Sequence, residues 1–258
     1  MEEVKKIIII TPTYPRKWRL HFLKRCSRTL RRVKNIFWIV VEDGGSLDKE
    51  VEDFLVSSGV PHLYLHIGPT RRWGNRQRDL ALTYIREQRL EGLVYLADDD
   101  NYYDPRIFDE IRKTKRVSIF PVGHLGPRGI ERPILKDGRI IGWDAHWLAR
   151  KFPVDMAGFA FDAGLLQGTK GVIFDSPQKY SRHDGWGGES ELLEKLVNSA
   201  DELEILCDQC RKCYVWHDQP LFEPLKLTYY RRKALALLSG LMHQAVRLLR
   251  SFLFPKRN

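Results

Sequence analysis

The chain has 258 residues, enough for one substantial α/β domain or two halves that share a core. Hydrophobic residues at 43% and charged residues at 29% describe an ordinary globular protein rather than a disordered one. A net charge of +10 points to acidic partners such as nucleotide diphosphates, anionic lipid or polyanionic glycan; without a helix-turn-helix, zinc-finger or RNA-binding signature, nucleic acid is set aside.

After Met1-Glu2-Glu3 the chain passes directly into Lys5-Lys6-Ile7-Ile8-Ile9-Ile10, an apolar run too short to target or span a membrane. With Met1 as the native start, that pattern predicts a cytoplasmic protein. Ile7–Ile10 reads as a buried strand ending at Thr11-Pro12-Thr13-Tyr14, followed by a basic helix over about 17–32. Phe37–Val41 reads as a second strand with Glu42-Asp43-Gly44-Gly45 at its carboxyl end. Asp48 is placed to cap a helix through Ser57, and Gly59 stands where a C′ glycine belongs. His62–Ile67 is a third predicted strand. The pairs Leu80/Tyr84 and Ala81/Ile85 predict a helix from Asn75 to about Gln88. Leu93–Ala97 is a fourth strand that runs straight into Asp98-Asp99-Asp100-Asn101.

This alternation predicts an α/β fold with a mostly parallel sheet wrapped by helices. Three polar clusters, at 11–14, 42–43 and 98–100, fall at strand carboxyl ends, where nucleotides bind in open α/β sheets.

The second half is less regular. Strands are predicted at 117–122, 139–143 and 156–161, a helix near 189–198, and a late strand at 213–216. Cys207, Cys210 and Cys213 have C-x2-C-x2-C spacing; a zinc site would need Cys26 or His217 as fourth ligand, and reduced thiols or one bridge are the simpler reading. The seven tryptophans serve as core or as sugar platforms. From about 228 to 254, Ala234, Leu238, Leu241, Ala245, Leu248 and Phe252 form one apolar helical stripe between basic clusters. Such a helix lies on an anionic membrane or docks on protein.

Three consecutive aspartates at a strand end repel one another unless solvated or neutralised by a cation. Mn²⁺ or Mg²⁺ accepts carboxylate oxygen and keeps positions free for water and diphosphate. A D-x-D alone also occurs in capped loops; the buried strand before it and the acidic pair at another strand end strengthen the metal reading.

The wider pattern resembles the β-1,3-glucuronosyltransferase family. The matching segments are Thr11–Arg16, Trp38–Asp43, Gln77–Leu82, Val94–Asn101, Val117–Gly123, Phe152–Ala160, Glu189–Leu193 and Val215–His217, in family order over about 7–220. The resemblance implies a GT-A type glycosyltransferase fold. Its parts would be a Rossmann-like nucleotide-binding half over 1–101, an acceptor-binding half over 102–225, and the amphipathic helix over 226–258. It implies inverting transfer from a UDP-sugar with Mn²⁺ or Mg²⁺. By position, Pro12, Tyr14 and Asp43 would hold uridine, Asp99 the ribose and Asp100 the metal. Asp98, Arg78, Asp155 and His217 would surround the donor sugar and diphosphate. Glu189 would be the general base, and Asp155, Trp143 and Trp147 would lie near the acceptor.

Residue chemistry agrees with these roles. Inversion needs one base opposite the leaving group, and Glu189 follows the flexible Gly185-Trp186-Gly187-Gly188; taken alone it is an ordinary first-turn acid of a helix. Arg78 can pair a glucuronate carboxylate or a phosphate; taken alone it is a surface arginine. His217 can donate to diphosphate or serve structure. Asp155, between Val154 and Met156, needs a sugar hydroxyl or a basic partner. The chain departs from the family pattern at Trp73, where arginine is usual, at Asp79, where asparagine is usual, and at Gln219, where the animal enzymes carry arginine. Glucuronic acid is therefore the first-choice donor, with UDP-xylose or UDP-glucose as the alternative. A non-catalytic scaffold is the rival class, and retention of Glu189 and Asp100 speaks against it. The family's usual N-terminal anchor is not seen, so a saccharide or lipid-linked glycan acceptor at the cytoplasmic membrane surface is expected; a trimmed sequence would instead belong to the Golgi lumen. A homodimer is compatible with the resemblance.

Overall fold

The computed structural model describes residues 4–70, 74–124, 129–145, 148–171, 173–174 and 188–217. Trp73, Trp147, the glycines preceding Gly188, Gln219 and the amphipathic tail lie outside the described residues.

In chain order, the first half contains β1 (Ile7–Thr13), α1 (Arg19–Leu30), β2 (Ile36–Asp43), α2 (Lys49–Ser58), β3 (His62–Ile67), α3 (Asn75–Glu87) and β4 (Leu93–Leu96). There follow β5 (Tyr102–Tyr103), α4 (Arg106–Ile111), β6 (Val117–Ile119), β7 (Val122–His124), β8 (Gly129–Lys136), β9 (Arg139–Asp144), β10 (Phe159–Asp162), α5 (Gly188–Leu196), β11 (Glu204–Ile205) and β12 (Val215–His217).

Seven strands form one sheet in the order β11-β6-β10-β4-β1-β2-β3, and five form a second in the order β5-β12-β7-β8-β9. β1 lies parallel to both β2 and β4. Its four isoleucines are fully buried because both faces are covered. Ile7 and Ile9 pack with Leu23, Leu30, Val51 and Leu55 of α1 and α2, whereas Ile8 and Ile10 pack with Ala81, Leu82 and Ile85 of α3. The Asp48 carboxylate accepts from the amides of Glu50 and Val51, capping α2, and Gly59 ends that helix with a φ of 67°.

The second half differs from the reading of the sequence in three places. The single strand predicted over 117–122 is two strands in different sheets, because the chain turns at Phe120-Pro121 and Pro121 has no N–H for a continuing ladder. The strand predicted over 156–161 begins with a 3₁₀ turn at Met156–Gly158, which Asp155 caps by accepting from the Ala157 amide, and only then becomes β10. β10 runs antiparallel to β4 and β6, so the large sheet is mixed. β8, α4 and the two-residue β5 and β11 were not anticipated.

Cys207–Cys210 forms one left-handed turn, with φ between 53° and 58° at all four residues. All four cysteines are free thiols. Burial pushes the Cys210 thiol up to about 12 and raises Cys207 further. The zinc reading gains nothing here: the ligand cluster close enough to share an ion among the described residues contains no cysteine. No described helix is long and apolar enough to cross a membrane.

Candidate active site

The parallel register sets the carboxyl end of β1 beside those of β2 and β4, and the predicted aspartate turn leaves the sheet there. The three aspartates are held differently. Asp99 is buried; Thr13 donates to it from Oγ1 at 2.8 Å and Arg16 from Nη2 at 2.5 Å. Burial pushes its pKa up to about 7, against the pull of Arg16. The Arg16 guanidinium in turn stacks on Tyr14 at 4.4 Å and Phe22 at 5.0 Å. The Asp98 carboxylate accepts from Arg78. The Asp100 side chain is 33% exposed, and its nearest cation is Arg16 at 3.9 Å. Among the described residues its carboxylate accepts no hydrogen bond.

The turn's backbone is fixed independently: Arg25 donates to the Asp100 carbonyl at 2.5 Å and the Tyr103 hydroxyl donates to the Asp98 carbonyl at 2.8 Å. Asp100 therefore presents an uncommitted hard oxygen donor on a rigid turn, which suits Mn²⁺ or Mg²⁺.

At the end of β2, Glu42 is a structural residue. It is buried and accepts from Arg19 at 2.7 Å and from the Tyr64 hydroxyl at 2.6 Å, while Arg19 also pairs with Asp48. Asp43 accepts from the Thr70 amide at 2.6 Å and the Thr70 hydroxyl at 3.1 Å, which ties down the loop after β3. Gly68 there has a φ of +117°, and a Cβ on it would lie 2.1 Å from Asp43 Oδ1. Pro12 is buried beside Gly74, and Tyr14 is half exposed at the rim.

The remaining groups come from α3, the second sheet and α5. Arg78 is buried on the first turns of α3, and a Cβ on Gly74 would reach its Nη1 at 2.6 Å. Asp79 is committed elsewhere, accepting from the amides of Ile173 and Phe174 at 2.9 and 3.2 Å. His217 on β12 is register partner of His124 on β7, with ring centroids 5.5 Å apart. Asp155 lies 3.8 Å from His217 Nδ1 and 4.0 Å from His124 Nε2. Burial raises its pKa; the two histidines oppose that and Asp98 adds to it. Glu189 accepts from Arg150 Nη1 at 2.9 Å. Burial raises its pKa too, opposed first by Arg150 and also by Arg78, while Asp155 reinforces it. Arg78, Asp98, Asp155, His217 and Glu189 thus form one electrostatic group.

Trp143 packs edge-on against Phe152, with ring centroids 6.5 Å apart, so part of it is core. Sequence reasoning assigned no role to Arg16, His124, Glu131 or Arg150. Arg150 had a signal, since the Phe152–Ala160 segment begins two residues after it.

A protein-family model described as "Glycosyltransferase family 43" matches residues 26–220. The Homo sapiens galactosylgalactosylxylosylprotein 3-beta-glucuronosyltransferase 2 is 35% identical over 228 residues, covering 83% of this chain and 69% of that protein. The Caenorhabditis elegans galactosylgalactosylxylosylprotein 3-beta-glucuronosyltransferase sqv-8 is 38% identical over 231 residues, covering 82% of this chain and 63% of its own length. Among solved structures, S. aureus TarS 1-349 superposes with a TM-score of 0.53 at 14% identity, over 82% of this chain and 60% of that one. Its complex with UDP-GlcNAc gives a TM-score of 0.52 at 16% identity, over 82% of this chain and 58% of that one. At such identities the likeness concerns the fold, and that fold is of the GT-A type.

Proposed function

This chain belongs to glycosyltransferase family 43 and is a glycosyltransferase; from that premise we propose that it moves glucuronic acid from a UDP donor to a saccharide hydroxyl, with inversion and with Mn²⁺ or Mg²⁺ at Asp100. The observation that carries the proposal is the convergence of Arg78, Asp98, Asp155, His217 and Glu189 from separate elements beside the aspartate turn. The relatives' being named 3-beta-glucuronosyltransferases supports glucuronic acid as the donor sugar.

In this reading the UDP moiety sits over the carboxyl ends of β1 and β2, bounded by Pro12, Tyr14 and Asp43, with Asp99 toward the ribose. Asp98 and Arg78 orient the sugar, and His217 donates to the diphosphate. Asp100 would hold the cation, which when bound supplies positive charge to the departing diphosphate. Asp155, with Trp143 beside it, orients the acceptor hydroxyl. Glu189 takes that hydroxyl's proton as the oxygen attacks the anomeric carbon from the face opposite UDP. Arg150 aims Glu189 and favours its ionised form, opposing the desolvation that raises its pKa.

A neutral donor such as UDP-xylose is the second reading, favoured by one contact. The Arg78 guanidinium already donates to Asp98, so part of its charge is spent before a glucuronate carboxylate arrives. UDP release by the purified protein across a panel of UDP-sugars, with Mn²⁺ and with EDTA, tests both. Metal-dependent release from UDP-glucuronate alone is the expected result. Release from a neutral donor instead would reassign Arg78 to positioning Asp98, and no release with no UDP binding would overturn the reading.

A further inference from the structure

Apart from the aspartate turn, one cluster of described side chains has ligand atoms close enough to share an ion. These are His124, Glu131 and Asp155, whose atoms all lie within 4.8 Å of one another. β7 supplies His124, the antiparallel neighbour β8 supplies Glu131, and the cap of the Met156–Gly158 turn supplies Asp155. His124 and Glu131 are buried, while Asp155 keeps partial exposure.

The second observation is the state of His124 Nε2. It lies 3.5 Å from Glu131 Oε2 and 4.0 Å from Asp155 Oδ2, too far in both cases for a good hydrogen bond, and it is buried with no hydrogen-bond partner. A buried polar nitrogen without a partner is rare and costs free energy, so it signals a missing ligand. Its two neighbours are both carboxylates, and what fits among one imidazole and two carboxylates is a cation. Ligands bound at about 2.0–2.2 Å stand roughly 3–3.6 Å apart around a first-row ion; the 3.5 Å separation falls in that range and the 4.0 Å one lies just beyond it, so a small side-chain shift of Asp155 seats the ion. Imidazole selects the zinc class over Mg²⁺ or Ca²⁺.

We propose that His124, Glu131 and Asp155 form a binding site for a zinc-class divalent cation, separate from the one at Asp100, and that the bound ion inhibits sugar transfer by engaging Asp155. The binding rests on the geometry alone; the inhibition rests on the role given to Asp155 under Proposed function. Asp155 cannot serve an acceptor hydroxyl while it is ligating the ion.

The test is calorimetric titration of the full chain with ZnCl2 in the Asp100→Asn background, which removes the other carboxylate site. A Zn²⁺ site is expected to remain there and to weaken about 100-fold or more on adding His124→Ala, since loss of an outer-sphere partner alone costs about 10–100-fold. Glu131→Gln, which keeps the side chain's shape, is the second variant should the alanine fail to fold, and the same weakening is expected. Co²⁺ substituted for Zn²⁺ should give visible ligand-field absorption that both substitutions abolish. No Zn²⁺ binding in the Asp100→Asn protein, binding untouched by both substitutions, or a thiolate-type Co²⁺ spectrum would each overturn the site. In turnover assays, Zn²⁺ inhibition that His124→Ala relieves supports the inhibitory role, and inhibition it leaves unchanged overturns that role. A protein inactive with every UDP-sugar yet binding Zn²⁺ through His124 supports this site while sinking the functional reading.

Discussion

Arg150 reaches Glu189 across 2.9 Å, tying the segment after β9 to the first turn of α5. The arginine side chain is 6% exposed and the glutamate 19%, so both charges have lost most of their water. Arg150 is the largest influence opposing the desolvation of Glu189. Arg150→Ala should therefore raise the base's pKa further and lower kcat. It should also destabilise the fold by about 3 kcal/mol, the low end for breaking a buried pair because Glu189 keeps some exposure. Denaturant unfolding measures the stability loss, and the acid limb of the pH–rate profile measures the base. A limb that stays in place would show that Arg150 does not control Glu189.

Glu189→Gln keeps the shape and removes the proposed proton acceptor. Turnover should fall by roughly 10²–10⁴, the usual contribution of general base catalysis. UDP affinity, measured by calorimetry, should stay unchanged, since the proposed uridine side of the site is at the ends of β1 and β2, which pair in parallel. Wild-type turnover in the variant would remove Glu189 from the mechanism.

Burial gives both Glu189 and Asp155 raised pKa values, and the sign of the consequence can be stated. The base is lost when protonated, so the acid limb of kcat should lie above the ordinary glutamate value of about 4.3. For stability, the folded state binds more protons than the unfolded state between the ordinary and the raised values. These groups therefore favour folding below that window, and the contribution is lost as pH rises through the folded-state pKa. Thermal midpoints recorded against pH should show this decline, and Glu189→Gln should make it shallower. An unchanged slope would mean that Glu189 is not desolvated.

The first half of the fold was legible because each signal there was local. Strands buried on both faces appear as unbroken apolar runs, and Asp48 and Gly59 carry their capping chemistry at fixed offsets. The aspartate turn was legible by its place after β4. What could not be read is which aspartate is free, because that depends on Arg16 and Arg78 arriving from distant positions. The second half hid its design in tertiary pairing. Val117–Val122 is apolar but for Ser118, and although Pro121 marks a break in it, the assignment of its two parts to different sheets depends on the partners β10 and β8. The His124–Glu131 contact is a cross-strand relation between β7 and β8, a hairpin whose second strand carries a proline and whose apolar alternation is weak.

Gly74 is required by geometry on two counts. Its φ is +85°, and a Cβ would stand 2.6 Å from Arg78 Nη1 and 3.1 Å from Pro12 Cγ. Gly74→Ala should cost about 1–2 kcal/mol from the left-handed backbone. It should also push Arg78 off Asp98 and raise the KM for the donor. Gly45→Ala is the control, because nothing lies within 4 Å of a Cβ there. Equal behaviour of the two variants in thermal melts and donor kinetics would contradict the assigned role of Gly74.

Asp99 and Asp100 are adjacent and chemically identical, yet their environments predict opposite phenotypes. Asp99 is buried against Thr13 and Arg16, so Asp99→Asn should destabilise the fold by about 1–3 kcal/mol by stripping a charged partner from Arg16. Asp100 accepts no hydrogen bond among the described residues and stands 3.9 Å from Arg16, so Asp100→Asn should leave the melting temperature almost unmoved. Its loss should appear in ligand binding instead. With Mn²⁺ present, UDP affinity should drop about tenfold or more, or about 1.4 kcal/mol per decade. EDTA should bring the wild-type protein down to the same affinity while leaving the variant unaffected. The EDTA comparison decides the matter, because a carboxylate that touched UDP directly would lose affinity on substitution but would not make chelation irrelevant. If the Asp100→Asn protein keeps a metal-dependent affinity for UDP, the cation is held by other residues, and the assignment of Asp100 fails.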